Sequence, residues 1–475
     1  MGELQEKCAV VGVSTANHEV DASGITYLAL DVQKHRGDAA SGIASHNSDG
    51  QFICHTGPGE VKYVYTPEIL GRLAGTAAIG HGRYPTSGGY EEHDQPVTDE
   101  ALGYALDHNG NLSETSELET FLLGSNIDVP SLNDTEMLTH GIAKHMRAGK
   151  DLPDAVEAIF PLLNGSFSCT AIHGDTVVAF RDPLGIRPLS VGAIEDGYMV
   201  SSETCGLYPS RAQQLGDVAP GEMIILTKGD MERRQIAKAN LKLDIFEIVY
   251  FCSPDSELFR ESVGQKRYRL GQELADQYPF EGDNYLVVGV PDSAIPIAEG
   301  YAHTQKMEHR QVIVKNRSRD GRSFLQRNQE DRQKYLERKF TYVAGAAKGR
   351  DVIVIDDSIV RLNTAKAVNQ LIGRAGARTV SFLIGSPPIG YPDFSGIDTP
   401  DQSRLIAATR TPEEIRQAIG CEFLGYLALG RMVRATGQSD SVFNLASFTG
   451  DYPYEIGNHR IDIKDPVSLG YLEES

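Results

Sequence analysis

The first half of the chain alternates short apolar runs with glycine-bearing turns. Runs such as CAVVGV (8–13), TVVAFRD (176–182) and GEMIILTKGD (221–230) have the length and the branched, apolar content of β-strands. Two longer stretches, 26–35 and 134–149, carry apolar residues at helical spacing. The pattern predicts strands packed with a few helices.

The second half has a different rhythm, in which nearly continuous apolar strands alternate with helices. The predicted strands lie at 284–293, 310–316, 350–358 and 378–386, and helical stretches lie between them at 294–305 and 364–376. Strands that are apolar on both faces and separated by helices are typical of a buried parallel sheet. The change of rhythm predicts a domain boundary near 230–245.

Length, charge and termini narrow the class of protein. At 475 residues the chain is too long for one ordinary core, so two domains are expected. A formal charge of -20 argues against a general nucleic-acid binder. No apolar run approaches the ~18 residues of a membrane span. The first residues also lack the pattern of a signal peptide, so a cytoplasmic protein without membrane contact is expected.

Cys8 stands out because of the motifs that follow it. The chain has six scattered cysteines and no CxxC pair, so neither a disulfide framework nor a zinc site is indicated. A cysteine in a strand is usually packing. Here it is followed by KHRGDAASGI (34–43), GHGRYPTSGG (80–89), DHNGNL (107–112) and DTE (134–136). Together these motifs resemble the glutamine-hydrolysing domain of the N-terminal-nucleophile amidotransferases.

This resemblance implies a four-layer αββα fold of the α+β class and a thiol that attacks the amide of glutamine. Removal of residues 1–7 as a propeptide would give Cys8 a free α-amine, which can act as the local base.

The remaining residues of the first site are assigned by match to the family. Asn109 and the backbone N–H of Gly110 are expected to form the oxyanion hole. Arg83 is expected to hold the carboxylate of glutamine, and Asp134 its amine. Ala9 departs from the family, which usually has glycine after the cysteine, and we expect it to be tolerated unless its φ is positive.

A second candidate site follows the apolar strand that ends in Asp356 and Asp357. In open parallel sheets, ligands bind at the carboxyl ends of the strands. Paired carboxylates there can hold Mg²⁺ or accept hydrogen bonds from ribose hydroxyls. Two adjacent aspartates without other motifs, however, are commonly part of a solvated turn.

Neighbouring motifs favour the functional interpretation. VGVPDSAI (288–295), VKNRSRDGRSFLQ (314–326) and GSPPIGYPDFSGIDT (385–399) resemble a type I phosphoribosyltransferase domain, an α/β fold with a mainly parallel sheet. The two domains in this order are similar to the glutamine phosphoribosylpyrophosphate amidotransferases. The resemblance implies that glutamine, phosphoribosyl pyrophosphate and water give 5-phosphoribosylamine, pyrophosphate and glutamate, the first step of purine synthesis.

The same resemblance assigns domains and site residues. It implies a glutaminase domain at 8–235, a phosphoribosyltransferase domain at 236–465 and a tail at 466–475. Mg²⁺ is expected on Ser293, Asp356 and Asp357. The residues expected to contact phosphoribosyl pyrophosphate lie in a cationic flap or in the strand-end loops: Lys315, Arg317, Arg322, Asp356, Asp357, Asn363 and Thr364.

The phosphate loop departs from the family. Its Arg-Gly-Thr-Thr is here Arg361-Leu362-Asn363-Thr364, and Leu362 puts a branched side chain where glycine lets the backbone approach phosphate. Glu337 also replaces a family arginine. Either the loop compensates and transfer is retained, as we expect, or the chain is a glutaminase-competent paralogue whose second domain only binds a nucleotide or sugar phosphate. A hexosamine-forming amidotransferase is a third hypothesis, against which the paired aspartates argue.

The family also carries expectations about cofactors and partners. Some members bind a [4Fe–4S] cluster through four cysteines, and the matching positions here are Asp244, Asp393, Ser441 and Asn444. Because such clusters need thiolates, we predict no cluster. Purine nucleotide inhibitors and a homo-oligomer, tetramer or dimer, are further implications of the resemblance.

Overall fold

The structure is a computed structural model that describes residues 8–83, 94–123, 127–316, 339–397, 399 and 401–467. The expected propeptide, Arg317, Arg322 and Glu337 lie outside the described residues.

In the described part of the first half, thirteen strands form two antiparallel sheets. They are β1 (Ala9–Thr15), β2 (Ala40–Asn47), β3 (Phe52–Pro58), β4 (Gly75–Arg83), β5 (Val97–Asp99), β6 (Tyr104–Glu114), β7 (Asn164–His173), β8 (Thr176–Arg181), β9 (Ser190–Ile194), β10 (Gly197–Ser201), β11 (Gln213–Asp217), β12 (Glu222–Thr227) and β13 (Asp230–Gln235). The first sheet has the order β11-β9-β10-β1-β4-β2-β3 and the second the order β13-β12-β8-β7-β6-β5.

Helices cover the outer face of each sheet. They are α1 (Ala22–Val32), α2 (Val61–Val64), α3 (Pro67–Leu73), α4 (Ser116–Leu122), α5 (Asp134–Arg147) and α6 (Leu152–Ile159). Alternation along β1 shows the layering, because Val10 packs into the cluster between the sheets whereas Val11 packs against α1. On the other side, Phe167 of the second sheet packs with Leu138 of α5. The first half therefore has the four layers α, β, β and α.

The second half is built on a five-stranded parallel sheet of order β18-β17-β21-β22-β23. Its strands, with the short pairs beside it, are β14 (Leu243–Asp244), β15 (Glu257–Leu258), β16 (Glu261–Ser262), β17 (Tyr285–Gly289), β18 (Glu308–His309), β19 (Ile313–Lys315), β20 (Phe340–Tyr342), β21 (Asp351–Asp356), β22 (Thr379–Ile384), β23 (Phe423–Tyr426) and β24 (Phe443–Asn444).

Helices cover both faces of the parallel sheet. The described helices are α7 (Val263–Gln277), α8 (Ile295–Gln305), α9 (Leu362–Arg374), α10 (Ile406–Thr409), α11 (Pro412–Ile419), α12 (Leu429–Thr436) and α13 (Ala446–Thr449). Ile353 packs into one buried cluster and its neighbour Val354 into another, so the strand is apolar on both faces. Short 3-10 segments lie at Val129–Ser131, Phe160–Leu162, Thr204–Leu207, Gln402–Arg404, Asp440–Val442 and Gly457–Asp462, and a π-helical turn lies at Glu247–Phe251.

The segment after β13 joins the two halves along a buried seam. The Asp244 backbone N–H donates to the Ile186 carbonyl oxygen over 3.1 Å. The Asp244 carboxylate forms an ion pair with Arg187 at 3.2 Å. Strand β14, which contains Asp244, pairs with β24 in the second half. The two halves therefore share hydrogen bonds and buried charges.

Candidate active sites

Cys8 directly precedes β1, a central strand of the first sheet. Ala9 pairs with Gly82 of β4, and one further step in this register sets Cys8 beside Arg83, the last residue of β4. The Ala9 backbone is ordinary strand, because Ala9 is not among the residues with positive φ. The alanine that departs from the family therefore fits its position without strain.

The expected oxyanion residues lie together on β6. Asn109 is buried, with 3% exposure, and its side-chain Nδ2 has no hydrogen-bond partner among the described residues. Gly110 has φ +147°, and a Cβ there would lie 2.0 Å from the Ser166 carbonyl oxygen. A buried donor without a partner is costly, and such groups are found where a ligand is to be bound. Gly110 can be only glycine in this conformation.

The first and second sheets are bonded close to these residues. The ring Nε2 of His81, on β4, lies 3.3 Å from the His108 carbonyl oxygen, immediately before Asn109. His81 is fully buried, and burial lowers its pKa to about 3, so the ring is neutral at ordinary pH. This contact holds the strand of Arg83 against the strand of Asn109.

Arg83 and Asp134 lie on either side of this junction. Arg83 is buried and pairs with Asp94 at 3.5 Å. Asp134 is the first residue of α5, and its Oδ2 accepts a hydrogen bond from the Leu112 backbone N–H at 3.2 Å. A cation is thus placed next to Cys8 and a carboxylate next to the Asn109 strand, which suits a zwitterionic ligand.

A buried ion network behind Cys8 was not expected from the sequence. The Arg36 Nε donates to the Cys8 carbonyl oxygen over 3.0 Å. Its Nη1 lies 2.7 Å from the Glu203 carboxylate and 2.9 Å from that of Glu247, and His35 also bonds to Glu203 at 2.8 Å. Burial alone would lower the pKa of Arg36, but Glu247 and Glu203 raise it above its usual value. The HRGD letters within the 34–43 motif were the available signal.

The second candidate site lies at the carboxyl edge of the parallel sheet. Asp356 and Asp357, with 7% and 6% exposure, end β21 and follow it. The Ser293 hydroxyl, after the neighbouring β17, donates to the Asp357 carboxylate, and the Asp357 N–H donates to Asp356 Oδ1 over 3.0 Å. Ser358 donates to Asp357 over 2.7 Å. Carboxylate and hydroxyl oxygens are the donors that Mg²⁺ prefers, so this set fits that cation.

Of the three predicted flap cations, Lys315 lies within the described residues. Lys315, the last residue of β19, pairs with Asp292 at 3.0 Å. Asp292 neighbours Ser293, so Lys315 lies at the edge of the same site.

The altered phosphate loop begins helix α9 without a side-chain N-cap. Leu362 is half-buried and packs against the hydrophobic cluster that contains Ile359 and Val368. Its φ is not positive. Thr364 is buried, with 6% exposure, and its hydroxyl has no partner among the described residues, while Asn363 is exposed. The leucine thus serves packing, and the first helical turn keeps its backbone N–H groups for an anion.

The four positions that carry cluster cysteines in some relatives are oxygen- and nitrogen-bearing here. Asp244, Asp393 and Asn444 are buried and Ser441 is exposed. Burial raises the pKa of both aspartates, and Arg187 offsets part of this effect. A donor set without sulfur does not fit an iron–sulfur cluster.

Comparison with known proteins decides the family. A family model described as a glutamine amidotransferase domain matches residues 84–209. The amidophosphoribosyltransferase of Synechococcus elongatus is 38% identical over 460 residues, which are 95% of this chain and 92% of that protein. The chain belongs to the amidophosphoribosyltransferase family. The Bacillus subtilis amidophosphoribosyltransferase is 36% identical over 464 residues, 95% of each chain. That of Archaeoglobus fulgidus is 37% identical over 455 residues, 94% of this chain and 98% of that one.

Solved structures agree with the amidophosphoribosyltransferase assignment. The B. subtilis glutamine phosphoribosylpyrophosphate amidotransferase complexed with ADP and GMP matches with a TM-score of 0.85 and 34% identity, covering 98% of this chain and all (100%) of that one. A structure described as the allosteric regulatory enzyme of purine biosynthesis matches with a TM-score of 0.85 and 34% identity, covering 96% and 99% of the two chains. The family resemblance and the fold class expected from the sequence are both confirmed.

Proposed function

We propose that this amidophosphoribosyltransferase converts glutamine, phosphoribosyl pyrophosphate and water to 5-phosphoribosylamine, pyrophosphate and glutamate, the first step of de novo purine biosynthesis. As a member of its family, the chain is a glutamine-dependent phosphoribosyltransferase. The observation that carries the proposal is that one chain holds two sites. The first has a cysteine at the start of a central strand, in a sheet that is bonded to the strand of a buried amide donor. The second has a carboxylate pair at the edge of a parallel sheet. Nothing in the comparisons favours a paralogue without transferase activity.

In the first site, after residues 1–7 have been removed, the free α-amine takes the proton of the Cys8 thiol and the thiolate attacks the side-chain amide of glutamine. The α-ammonium group then returns this proton to the amide nitrogen, which departs as ammonia. Asn109 Nδ2 and the Gly110 N–H then donate to the oxyanion, which gives the buried amide donor its partner. Arg83 and Asp134 hold the two charged ends of glutamine. Ammonia leaves, a thioester remains on Cys8, and water releases glutamate.

In the second site, Asp356, Asp357 and Ser293 would hold Mg²⁺, which supplies positive charge to the pyrophosphate when bound. The two aspartates also accept hydrogen bonds from the ribose. Thr364, Asn363 and the first-turn N–H groups of α9 bind the 5-phosphate. The cations of the flap, Lys315, Arg317 and Arg322, offset the charge of the leaving pyrophosphate while ammonia attacks the ribose C1.

Further parts of the proposal follow from relatives. The B. subtilis structure holds ADP and GMP, so we propose purine nucleotides as ligands and inhibitors of this chain. We also propose that the protein forms a homo-oligomer and is cytoplasmic. Its glutaminase unit would span 8–235 and its transferase unit 236–465. Among the described residues, no helix is both long and apolar enough to cross a membrane.

The first test measures pyrophosphate release from phosphoribosyl pyrophosphate and Mg²⁺ with ammonia as the nitrogen donor. Ammonia bypasses Cys8, so the assay isolates the second site. Asp356→Asn should abolish release. Asp283→Asn, an exposed aspartate at the opposite end of the sheet, should not. Absence of release from folded wild-type protein would refute the transferase proposal.

The glutaminase site has its own pair of variants. Cys8→Ala should abolish glutamine hydrolysis and leave ammonia-dependent release intact. Cys54→Ala, a partly buried cysteine on β3 of the same sheet, should leave both activities. Hydrolysis that survives in Cys8→Ala would refute the assignment of the nucleophile.

A further inference from the structure

The oxyanion residues lie at the start of an irregular stretch of β6. The strand pairs regularly with β7 as far as Asn111, and the register shifts between Asn111 and Glu114. Gly110 on this strand and Gly165 opposite both have positive φ, at +147° and +133°. A β-bulge of this kind leaves backbone groups outside the ladder and re-aims the strand. Gly110 lies one residue before this irregular stretch, so the contacts that hold the stretch also bear on the position of Gly110.

Two side-chain contacts from outside the sheet hold Asn111 and Leu112, the two residues that follow Gly110. The first is within the glutaminase half, where the Leu112 N–H donates to Asp134 over 3.2 Å. The second comes from the transferase half, where the Asn111 Nδ2 donates to the Phe394 carbonyl oxygen over 2.9 Å. Asn111 directly follows Gly110. Of these two contacts next to Gly110, the one from Asn111 is made to the other half of the chain.

The carbonyl that receives Asn111 lies on a rigid, buried turn. The Asp393 carboxylate accepts hydrogen bonds from the Ser395 N–H at 2.7 Å and the Ile397 N–H at 3.1 Å. Arg187, from the glutaminase half, donates through Nη2 to the Ser395 carbonyl oxygen over 3.1 Å. The turn is therefore ordered by a carboxylate at its start and clamped from the other half of the chain.

Arg187 also connects this turn to Cys8 through a chain of buried contacts. Arg187 Nη1 lies 3.3 Å from Glu247, and Glu247 holds Arg36 at 2.9 Å. Arg36 in turn donates to the Cys8 carbonyl oxygen. These side chains are buried, where hydrogen bonds and ion pairs are weakly screened. One polar network thus joins the Cys8 backbone, the Asp393 turn and the strand of the oxyanion hole.

We propose that Asn111 is a positioning residue for glutamine hydrolysis, which sets the oxyanion hole through its bond to the turn at 393–397. The inference rests on the proposed function, since it needs Gly110 and Asn109 to be the oxyanion donors. Asn111 itself touches no reacting atom. The docked turn of the transferase half completes the geometry of the glutaminase half.

The first measurement compares kcat and KM for glutamine. Asn111→Ala should lower kcat about 10- to 100-fold, because a small misplacement of a catalytic group has effects of that order. The KM for glutamine should stay within about twofold, since Arg83 and Asp134 are untouched. Ammonia-dependent pyrophosphate release should not change. Ser113→Ala, which removes another bond between the halves, from Ser113 Oγ to the Glu455 carbonyl oxygen at 2.6 Å, is the matched control and should keep kcat.

A second readout separates positioning from loss of structure. Glutamate γ-semialdehyde, the aldehyde analogue of glutamine, adds the Cys8 thiol across its carbonyl and places an oxyanion in the hole. Asn111→Ala should weaken binding of this aldehyde by the same factor as kcat and leave the affinity for glutamate unchanged. Equal loss of both affinities, or an equal fall of kcat in Ser113→Ala, would overturn the proposal.

A double-variant cycle tests the route through the turn. Asp393→Ala should lower kcat in the same direction, and the double variant with Asn111→Ala should lose no more than the worse single variant. Additive losses would overturn the role of the turn, and if Asp393→Ala does not fold, the aldehyde measurement decides alone. Unchanged kcat in Asn111→Ala, with hydrolysis abolished in Cys8→Ala, would refute this inference and leave the proposed function standing.

Discussion

Asn109→Ala should separate activity from stability, because the amide it removes is buried and unpaired in the free protein. Asn109 makes no side-chain hydrogen bond among the described residues, and its Nδ2 is a buried orphan donor. Among the described residues, the amide donor therefore adds no hydrogen bond to the stability of the resting state. In the proposed function, its partner is the oxyanion that forms when glutamine is attacked.

The expected changes in kcat and in the free energy of unfolding have different physical causes. Loss of one oxyanion donor lowers kcat by about 10² to 10³, or about 2.7–4 kcal/mol of transition-state stabilisation. Removal of an unsatisfied buried donor returns about 1–3 kcal/mol of desolvation penalty. The small cavity left by truncation opposes this gain by about 1 kcal/mol. Stability should therefore stay within about 1 kcal/mol of the wild type or rise slightly.

The assay pairs glutamine hydrolysis with thermal unfolding of the same samples. Asn284→Ala is the control, because the Asn284 Nδ2 donates to the Gly349 carbonyl oxygen and to Asp351, each over 3.1 Å, at the far end of the parallel sheet. It should lower the unfolding midpoint and leave glutamine hydrolysis unchanged. Midpoints are compared as differences, since a two-domain chain need not unfold in one step. An Asn109→Ala protein that keeps its kcat within tenfold, or unfolds earlier than the control, would refute the reasoning.

Three further predictions test glycine, loop and charge. Gly110→Ala should abolish glutamine hydrolysis and lower the free energy of unfolding by more than about 2 kcal/mol, because the new Cβ would lie 2.0 Å from the Ser166 carbonyl oxygen. The control is Gly50→Ala, where φ is +73° and the space around the Cβ is open, and it should lower the free energy of unfolding by about 1 kcal/mol. Leu362→Ala should lower stability by about 1–2 kcal/mol through lost packing and leave the KM for phosphoribosyl pyrophosphate within about threefold. Burial and, to a smaller extent, the nearby Asp393 carboxylate raise the pKa of Asp244 in the folded state. The contribution of Asp244 to stability is therefore present at low pH and is lost as the pH rises through this folded-state pKa. Asp244→Asn should therefore gain in unfolding midpoint relative to wild type between pH 5 and pH 8, and a constant difference would contradict this.

Local patterns predicted much of the fold. Helix α5 was expected at 134–149 and is Asp134–Arg147, because the Asn133 and Glu136 capping box and an apolar stripe act within a few residues. Helix α1 was expected at 26–35 and is Ala22–Val32, since the Asp21 side chain caps the N–H groups of Ser23 and Gly24 and starts the helix before the apolar pattern.

Contacts between distant segments could not be predicted in this way. Arg36 lies 167 residues from Glu203 and 211 from Glu247, and no periodicity along the chain indicates that these three side chains meet. The bond from Asn111 to Phe394 spans 283 residues. Such pairs depend on how the sheets stack and how the two halves dock. Hydrophobic patterning predicts which surface is buried but not which segment covers it. Motifs predicted the candidate site residues, and the structure supplied the side chains that contact them.

Glycine positions show where a departure from a motif carries information. At Ala9 and Leu362 the motif resemblance led us to expect glycine, and in both places φ is not positive, so the backbone has an ordinary conformation. At Gly110 the backbone has φ +147° and a Cβ would lie 2.0 Å from the Ser166 carbonyl oxygen, so this position requires glycine. Sequence letters alone weigh the three positions equally, because they do not reveal the backbone angle that each position needs. The replaced glycine of the phosphate loop is thus no evidence against phosphate binding, since Leu362 packs inward and leaves the N–H groups of the helix start in place.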